Sequence, residues 1–84
     1  MIAKTKERQL KFRVSDSPGI LGQIASVLGG QNVNIVNVKL EHDVINAELE
    51  IFLLVQLPGK IDRNELTQNL AECKGVLQVE WINP

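Results

Sequence analysis

The sequence predicts an α+β domain with the element order β-α-β-β-α-β. The apolar residues switch back and forth between the period of a strand and the period of a helix. The switches fall at turn-forming residues: Pro18-Gly19, Gly29-Gly30, Pro58-Gly59 and Gly75. Finally, 84 residues with 44% hydrophobic content suit one folded domain rather than a disordered chain.

Leu10, Phe12 and Val14 alternate with polar residues and predict strand one over residues 8–15. Residues 1–7 end in the polar run Lys4-Thr5-Lys6-Glu7, so the domain is set at 8–82 with a tail before it. That tail reads equally as a frayed end or as the cut edge of a longer protein. From Ile20 the apolar spacing becomes helical through Leu21, Ile24, Ala25, Val27 and Leu28, predicting helix one over 18–28. Ser17 is its expected N-cap, Pro18 its first residue, and Gly29-Gly30 its left-handed stop. Residues 32–41 predict strand two, but Val33 and Ile35 have one parity while Val36, Val38 and Leu40 have the other. A bulge near Ile35-Val36 accounts for the slip. After a turn over 42–46, Ile45, Ala47, Leu49, Ile51, Leu53 and Val55 alternate as strand three. Its other face changes from Asn46, Glu48 and Glu50 to Phe52 and Leu54, as if part wet and part covered by another subunit. Asp62 with Glu65 three residues on opens helix two, whose apolar face is Leu66, Leu70 and Cys73. Gly75 ends it, and Leu77, Val79 and Trp81 alternate as strand four. Right-handed crossovers place both helices on one face of a four-stranded antiparallel sheet, the ferredoxin-like arrangement.

Composition narrows the function. Nine basic against ten acidic residues give a net charge of −1, which argues against general nucleic-acid binding. Strand three is acidic where an RNA-binding sheet needs aromatic and basic residues. A single cysteine, Cys73, rules out an internal disulfide, a Cys-x-x-Cys motif and a thiolate-rich zinc site, and fits a reducing, cytoplasmic compartment. No apolar run is long enough for a membrane helix, so no membrane contact by this segment is expected. His42, the only histidine, has no second ligand type nearby and predicts no metal site; no cofactor is implied either. The first loop lacks the arginine of a small acylphosphatase, and no nucleophile–base pair is suggested, so the expectation is a non-catalytic protein. Trp81 is expected to pack in the core or an interface, and Cys73 to be inert.

The segment Ser15-Asp16-Ser17-Pro18-Gly19-Ile20-Leu21 carries the strongest functional signal. A strand turning sharply into a helix leaves amides and a positive dipole end open to a carboxylate or phosphate. Asp16-Ser17-Pro18-Gly19-Ile20-Leu21, then Ile24, Leu28 and Val33-Asn34-Ile35, resembles the ACT domain over nearly the whole chain. The resemblance implies a regulatory module that pairs with a second copy, strand one to strand one or helix to helix. It also implies an amino-acid effector between the first loop of one copy and the start of strand two of the other. Carried over, the ligand residues are Asp16, Ser17, Gly19, Ile20 and Leu21 on one side and Asn32, Val33, Asn34 and Ile35 on the other. Four of them have a plainer role as well: Asp16 or Ser17 as a helix cap, Gly19 as a packing residue, Asn34 as a partner for a backbone group at the bulge. The resemblance implies three kinds of parent. These are an amino-acid-regulated metabolic enzyme, a stringent-response ppGpp synthetase/hydrolase, and an MgtC/SapB-type membrane protein with a cytoplasmic tail. Pro18-Gly19 departs from the Asp-Arg-x-Gly-Leu-Leu loop more usual in the synthetases. The competing class is a structural dimerisation module without a ligand, with Leu21 and Val33 filling the pocket.

Overall fold

The computed structural model describes residues 6–82, so most of the tail expected at 1–7 lies outside the described residues. The elements are β1 (Lys6–Ser15), α1 (Ile20–Gly30), β2 (Asn34–Asp43), β3 (Glu48–Leu57), α2 (Arg63–Ala71) and β4 (Val76–Ile82). They form one antiparallel sheet in the order β2-β3-β1-β4, with the helices on one face. The ferredoxin-like expectation holds. Leu10, Phe12 and Val14 of β1 and Ile51, Leu53, Val55 and Leu57 of β3 face the helices. They pack against Ile20, Ile24 and Leu28 of α1 and Leu66 and Leu70 of α2. Burying these side chains is the main stabilising term.

Several boundaries differ from the expectation, each for a local reason. Helix α1 starts at Ile20, not Pro18, because Gly19 adopts φ 81 at the N-cap position, and Ser17 makes no side-chain cap bond. A left-handed residue there turns the chain into the helix, which glycine allows without a Cβ penalty. At the other end the helix runs through Gly29 and Gly30, and Asn32 is the left-handed residue with φ 60. Val33 N–H reaches Leu28 O at 2.9 Å and Asn32 N–H reaches Gly29 O at 3.1 Å. This double closure, with Val33 buried on Leu28, ends the helix and delays β2 to Asn34.

The bulge in β2 is present, between Ile35 and Asn37 of its ladder with β3. Strand β3 begins at Glu48, three residues later than its alternation suggests. Asp43 accepts from Asn46 N–H at 3.1 Å and from Asn46 Nδ2 at 2.9 Å, drawing 44–47 into a turn. Ile45 is thereby 94% exposed rather than inward. In β4 a register shift against β1 between Arg13 and Val14 sets Val14 opposite Val76 and Arg13 opposite Gln78. Leu77 is left unpaired and outward, and Val76 takes the inward place. Asp62 caps α2 by accepting from Glu65 N–H at 3.1 Å, as its spacing predicts.

The topology also rules out pairing through strand one. β1 has β3 on one side and β4 on the other, leaving free edges only on β2 and β4. The face opposite the helices is more self-contained than its sequence suggests. The Lys11 and Lys39 ammonium groups lie 5.7 and 5.8 Å from the Phe52 ring centroid. Lys11–Glu50 at 3.2 Å and Arg13–Glu48 at 3.7 Å tie β1 to β3, while Lys39 also pairs with Glu41 of its own strand at 3.3 Å. Phe52 and Leu54 are therefore half-buried within a single copy. Of the exposed apolar residues, Val36, Val38 and Leu40 form a run along β2 at 45%, 41% and 51% exposure, with Val44 and Ile45 in the hairpin turn and Leu77 on β4.

Candidate functional site

The β1–α1 loop is held from both sides. Ser15 N–H donates to Gly75 O at 2.8 Å, and Asp16 N–H donates to Ala47 O at 3.0 Å. The loop is thus strung between the α2–β4 turn and the tip of the β2–β3 hairpin. Its helix start is open: Ile20 N–H reaches Ser17 O at 3.4 Å and Gln23 N–H reaches Gly19 O at 3.0 Å, while Gly19, Leu21 and Gly22 have no acceptor for their N–H groups among the described residues. Three free donors at the positive end of α1 suit a carboxylate or phosphate oxygen. A Cβ on Gly19 would meet nothing within 4 Å, so the approach from solvent is clear.

Asp16 does not cap the helix. Its Oδ2 lies 2.9 Å from Nε2 of His42, on β2. Sequence spacing gave no sign of this contact, because 26 positions separate the two residues and only the strand pairing closes the gap. His42 pairs with Leu49 and so lies on the helix side of the sheet, where the loop passes over it. Beside the loop, on its other flank, is a cavity of about 430 Å³ lined by Ser15, Ser17, Pro18, Gln23, Lys74 and Gly75. Ser17 is the only one of the sequence-proposed ligand residues that lines it. Lys74 and Gln23 add a cation and an amide that sequence reasoning passed over. Gly75 has φ 97, and a Cβ there would stand 3.3 Å from Ile20 Cδ1 and 3.4 Å from Ser17 Oγ, so the turn packs closely on the loop.

The remaining proposed residues divide sharply. Ile20 and Val33 are core residues, leaving only their backbone to a ligand. Leu21 and Ile35 are half-buried against the core. Asn32 is exposed in the turn that closes α1. Asn34, turned to the open face by the bulge, donates from Nδ2 to Gln56 Oε1 at 3.1 Å. The backbone role at the bulge is not filled by Asn34; the asparagine that serves a backbone group there is Asn37, whose Oδ1 accepts from Val38 N–H at 2.9 Å. Most important, the two groups of residues lie at opposite ends of the sheet. Ser15 is level with Glu48 and Asn34 with Gln56, eight positions along β3, a separation of about 27 Å. One copy of the chain cannot bring them together.

Away from the loop, Trp81 donates from Nε1 to Thr67 Oγ1 at 2.7 Å, and the Arg63 guanidinium lies 4.2 Å from its ring centroid. This fills the packing role expected of Trp81, as a clasp between α2 and β4. No group of histidine, cysteine and acidic residues suited to a metal ion occurs among the described residues. No helix among them is long and apolar enough to cross a membrane.

The comparisons with known proteins agree with this architecture. The chain is similar to the ACT domain of GTP pyrophosphokinase from Chlorobium tepidum, with 19% identity, a TM-score of 0.74, and coverage of 94% of this chain and 100% of that one. It is also similar to the C-terminal domain of the MgtC protein from Mycobacterium tuberculosis, with 11% identity, a TM-score of 0.76, and coverage of 93% and 86%. A formyltetrahydrofolate deformylase from Pseudomonas putida aligns with 17% identity and a TM-score of 0.80 over 94% of this chain but only 29% of its own. At these identities the likeness is one of fold. No curated protein matches the sequence. The family model for the ACT domain matches residues 4–80, nearly the full length, and the chain belongs to the ACT domain family.

Proposed function

We propose that this chain is a non-catalytic regulatory module that works as a pair and takes an amino acid or similar small effector at the β1–α1 loop, in the cytoplasm, on behalf of an attached or partner protein. The observation that carries this reading is the separation of the two halves of the site within one copy. Antiparallel pairing of two β2 edges removes that separation. If Val38 pairs with Val38 of the partner subunit, Val36 falls opposite the partner's Leu40 and the exposed apolar stripe closes on itself. The same register sets the start of the partner's β2 beside the end of β2 that holds His42, next to Asp16. An effector carboxylate would take the free amides of Gly19, Leu21 and Gly22, while Asp16 would take its ammonium group. Asn32 and the unpaired backbone at the start of the other strand would form the opposite wall.

The test has two parts. Sedimentation at micromolar concentration is expected to give a dimer or higher species, and a monomer persisting to millimolar concentration would overturn pairing. Each common L-amino acid is then tested for a rise in melting temperature, which any ligand of the native state must cause. A rise that disappears in Asp16→Ala supports the effector site. Dimers that respond to none of them would favour a structural dimerisation module, a reading that the half-buried Leu21 and the occupied Asp16 carboxylate also suit.

A further inference from the structure

Within the loop-site reading, we propose that His42 is a built-in competitor for Asp16: its imidazole occupies the carboxylate that an effector's ammonium group would need, and so latches the β1–α1 loop to the β2–β3 hairpin until a ligand displaces it. The geometry is specific. Nε2 of His42 stands 2.9 Å from Oδ2 of Asp16, a good hydrogen-bond distance, and Asp16 N–H is fixed at the same place by Ala47 O at 3.0 Å. Backbone and side chain of Asp16 are therefore both tied to the hairpin, from either side of its turn. The turn itself is rigid enough to serve as an anchor, because Asp43 holds Asn46 through two hydrogen bonds. Both latch side chains remain about half exposed, so a small solute can reach the pair without unfolding the domain.

His42 is on β2, the strand whose free edge carries Val36, Val38 and Leu40. A ligand that releases His42 from Asp16 would free the imidazole to turn toward that edge. The latch thus links the loop to the edge at which copies would pair.

The proposal is tested by hydrogen exchange of the hydrogen-bonded backbone amides of the loop, those of Asp16, Ile20 and Gln23, in the full chain. His42→Phe keeps a ring of similar size but removes the donor, and is expected to speed exchange in the loop by about two- to five-fold, the range for an exposed polar pair. Asp16→Ala should give the same acceleration, and the double variant no more than either single. His42→Gln retains an N–H donor and should restore most of the protection, which separates the hydrogen bond from ring packing. Unchanged loop exchange in His42→Phe, or fully additive effects, would overturn the latch. In parallel, a common L-amino acid that raises the melting temperature of the parent chain at millimolar concentration should raise that of His42→Phe more. An equal rise in both would overturn the competition. If no amino acid acts on either protein while loop exchange still responds, the effector reading fails and the latch stands.

Discussion

Burial raises the pKa of the Cys73 thiol above its ordinary value, and the charge of Glu72 adds to the effect. Its Sγ–H leans on Asn69 O at 3.7 Å. The thiolate is the reactive form, so Cys73 should react with a maleimide more slowly than free cysteine at neutral pH, and at the ordinary rate once denaturant is added. Asp43 moves the other way: hydrogen bonds from the Asn46 side chain, then from its backbone, hold the carboxyl below its ordinary range. A carboxylate depressed in the folded state stabilises at pH values above its unfolded pKa, and that contribution is lost as pH falls through the folded value. Acidification below the ordinary carboxylate range should therefore open the 44–47 turn before the sheet melts, seen as loss of dispersion at the Asn46 amides by NMR. Asp43→Ala should produce the same opening at neutral pH. At Gly19 the constraint is purely one of backbone angle, since φ is 81 and a Cβ would touch nothing. Gly19→Ala is expected to cost roughly 1–2 kcal/mol in denaturant unfolding, the usual penalty for a left-handed alanine.

Strand β2 is the element on which the proposed function turns. Its free edge is ten residues long, and the only built-in obstacle to pairing at the register centre is Asn37, whose side chain takes Val38 N–H. Removing that acceptor with Asn37→Ala should strengthen self-association several-fold, because a partner strand would no longer displace an existing bond. Val38→Glu should abolish it by placing like charges opposite each other. Phe52→Glu should leave association intact, since Phe52 is already enclosed by Lys11 and Lys39 of its own copy. The element order, the bulge in β2 and the cap of α2 were legible because each is written in local periodicity or a short side-chain spacing. Ile45 and Leu77 were misread for one reason: a period-2 pattern continues on paper through a turn or a bulge that a single hydrogen bond or register step imposes. The β1–α1 loop was found from its own residues. His42 was not, because nothing near position 42 encodes proximity to position 16; only the register of β2 on β3, and the loop's path over it, does.

A single apolar cluster joins all the elements but leaves an exposed apolar stripe along the β2 edge, and that shapes how the whole molecule should respond to stress. Truncating a central member, Leu28→Ala, is expected to cost about 2–5 kcal/mol, much of the total stability of a domain this small. If folded copies associate through β2, the melting temperature of the parent chain should climb with protein concentration in calorimetry, by mass action on the native state. Val38→Glu should flatten that dependence without breaching the core. Loss of concentration dependence with the folded signal intact would separate assembly from folding, two properties that a marginal domain otherwise mixes.

The clasp at the far edge offers a way to read those two properties apart. Trp81 is the sole tryptophan in a chain without tyrosine, and its indole is bonded to Thr67 and covered by Arg63. Its emission is therefore a one-site optical gauge of whether α2 stays docked on β4. Because β4 and β2 are the opposite margins of the sheet, that gauge is silent to events along β2 and changes only when the fold itself gives way.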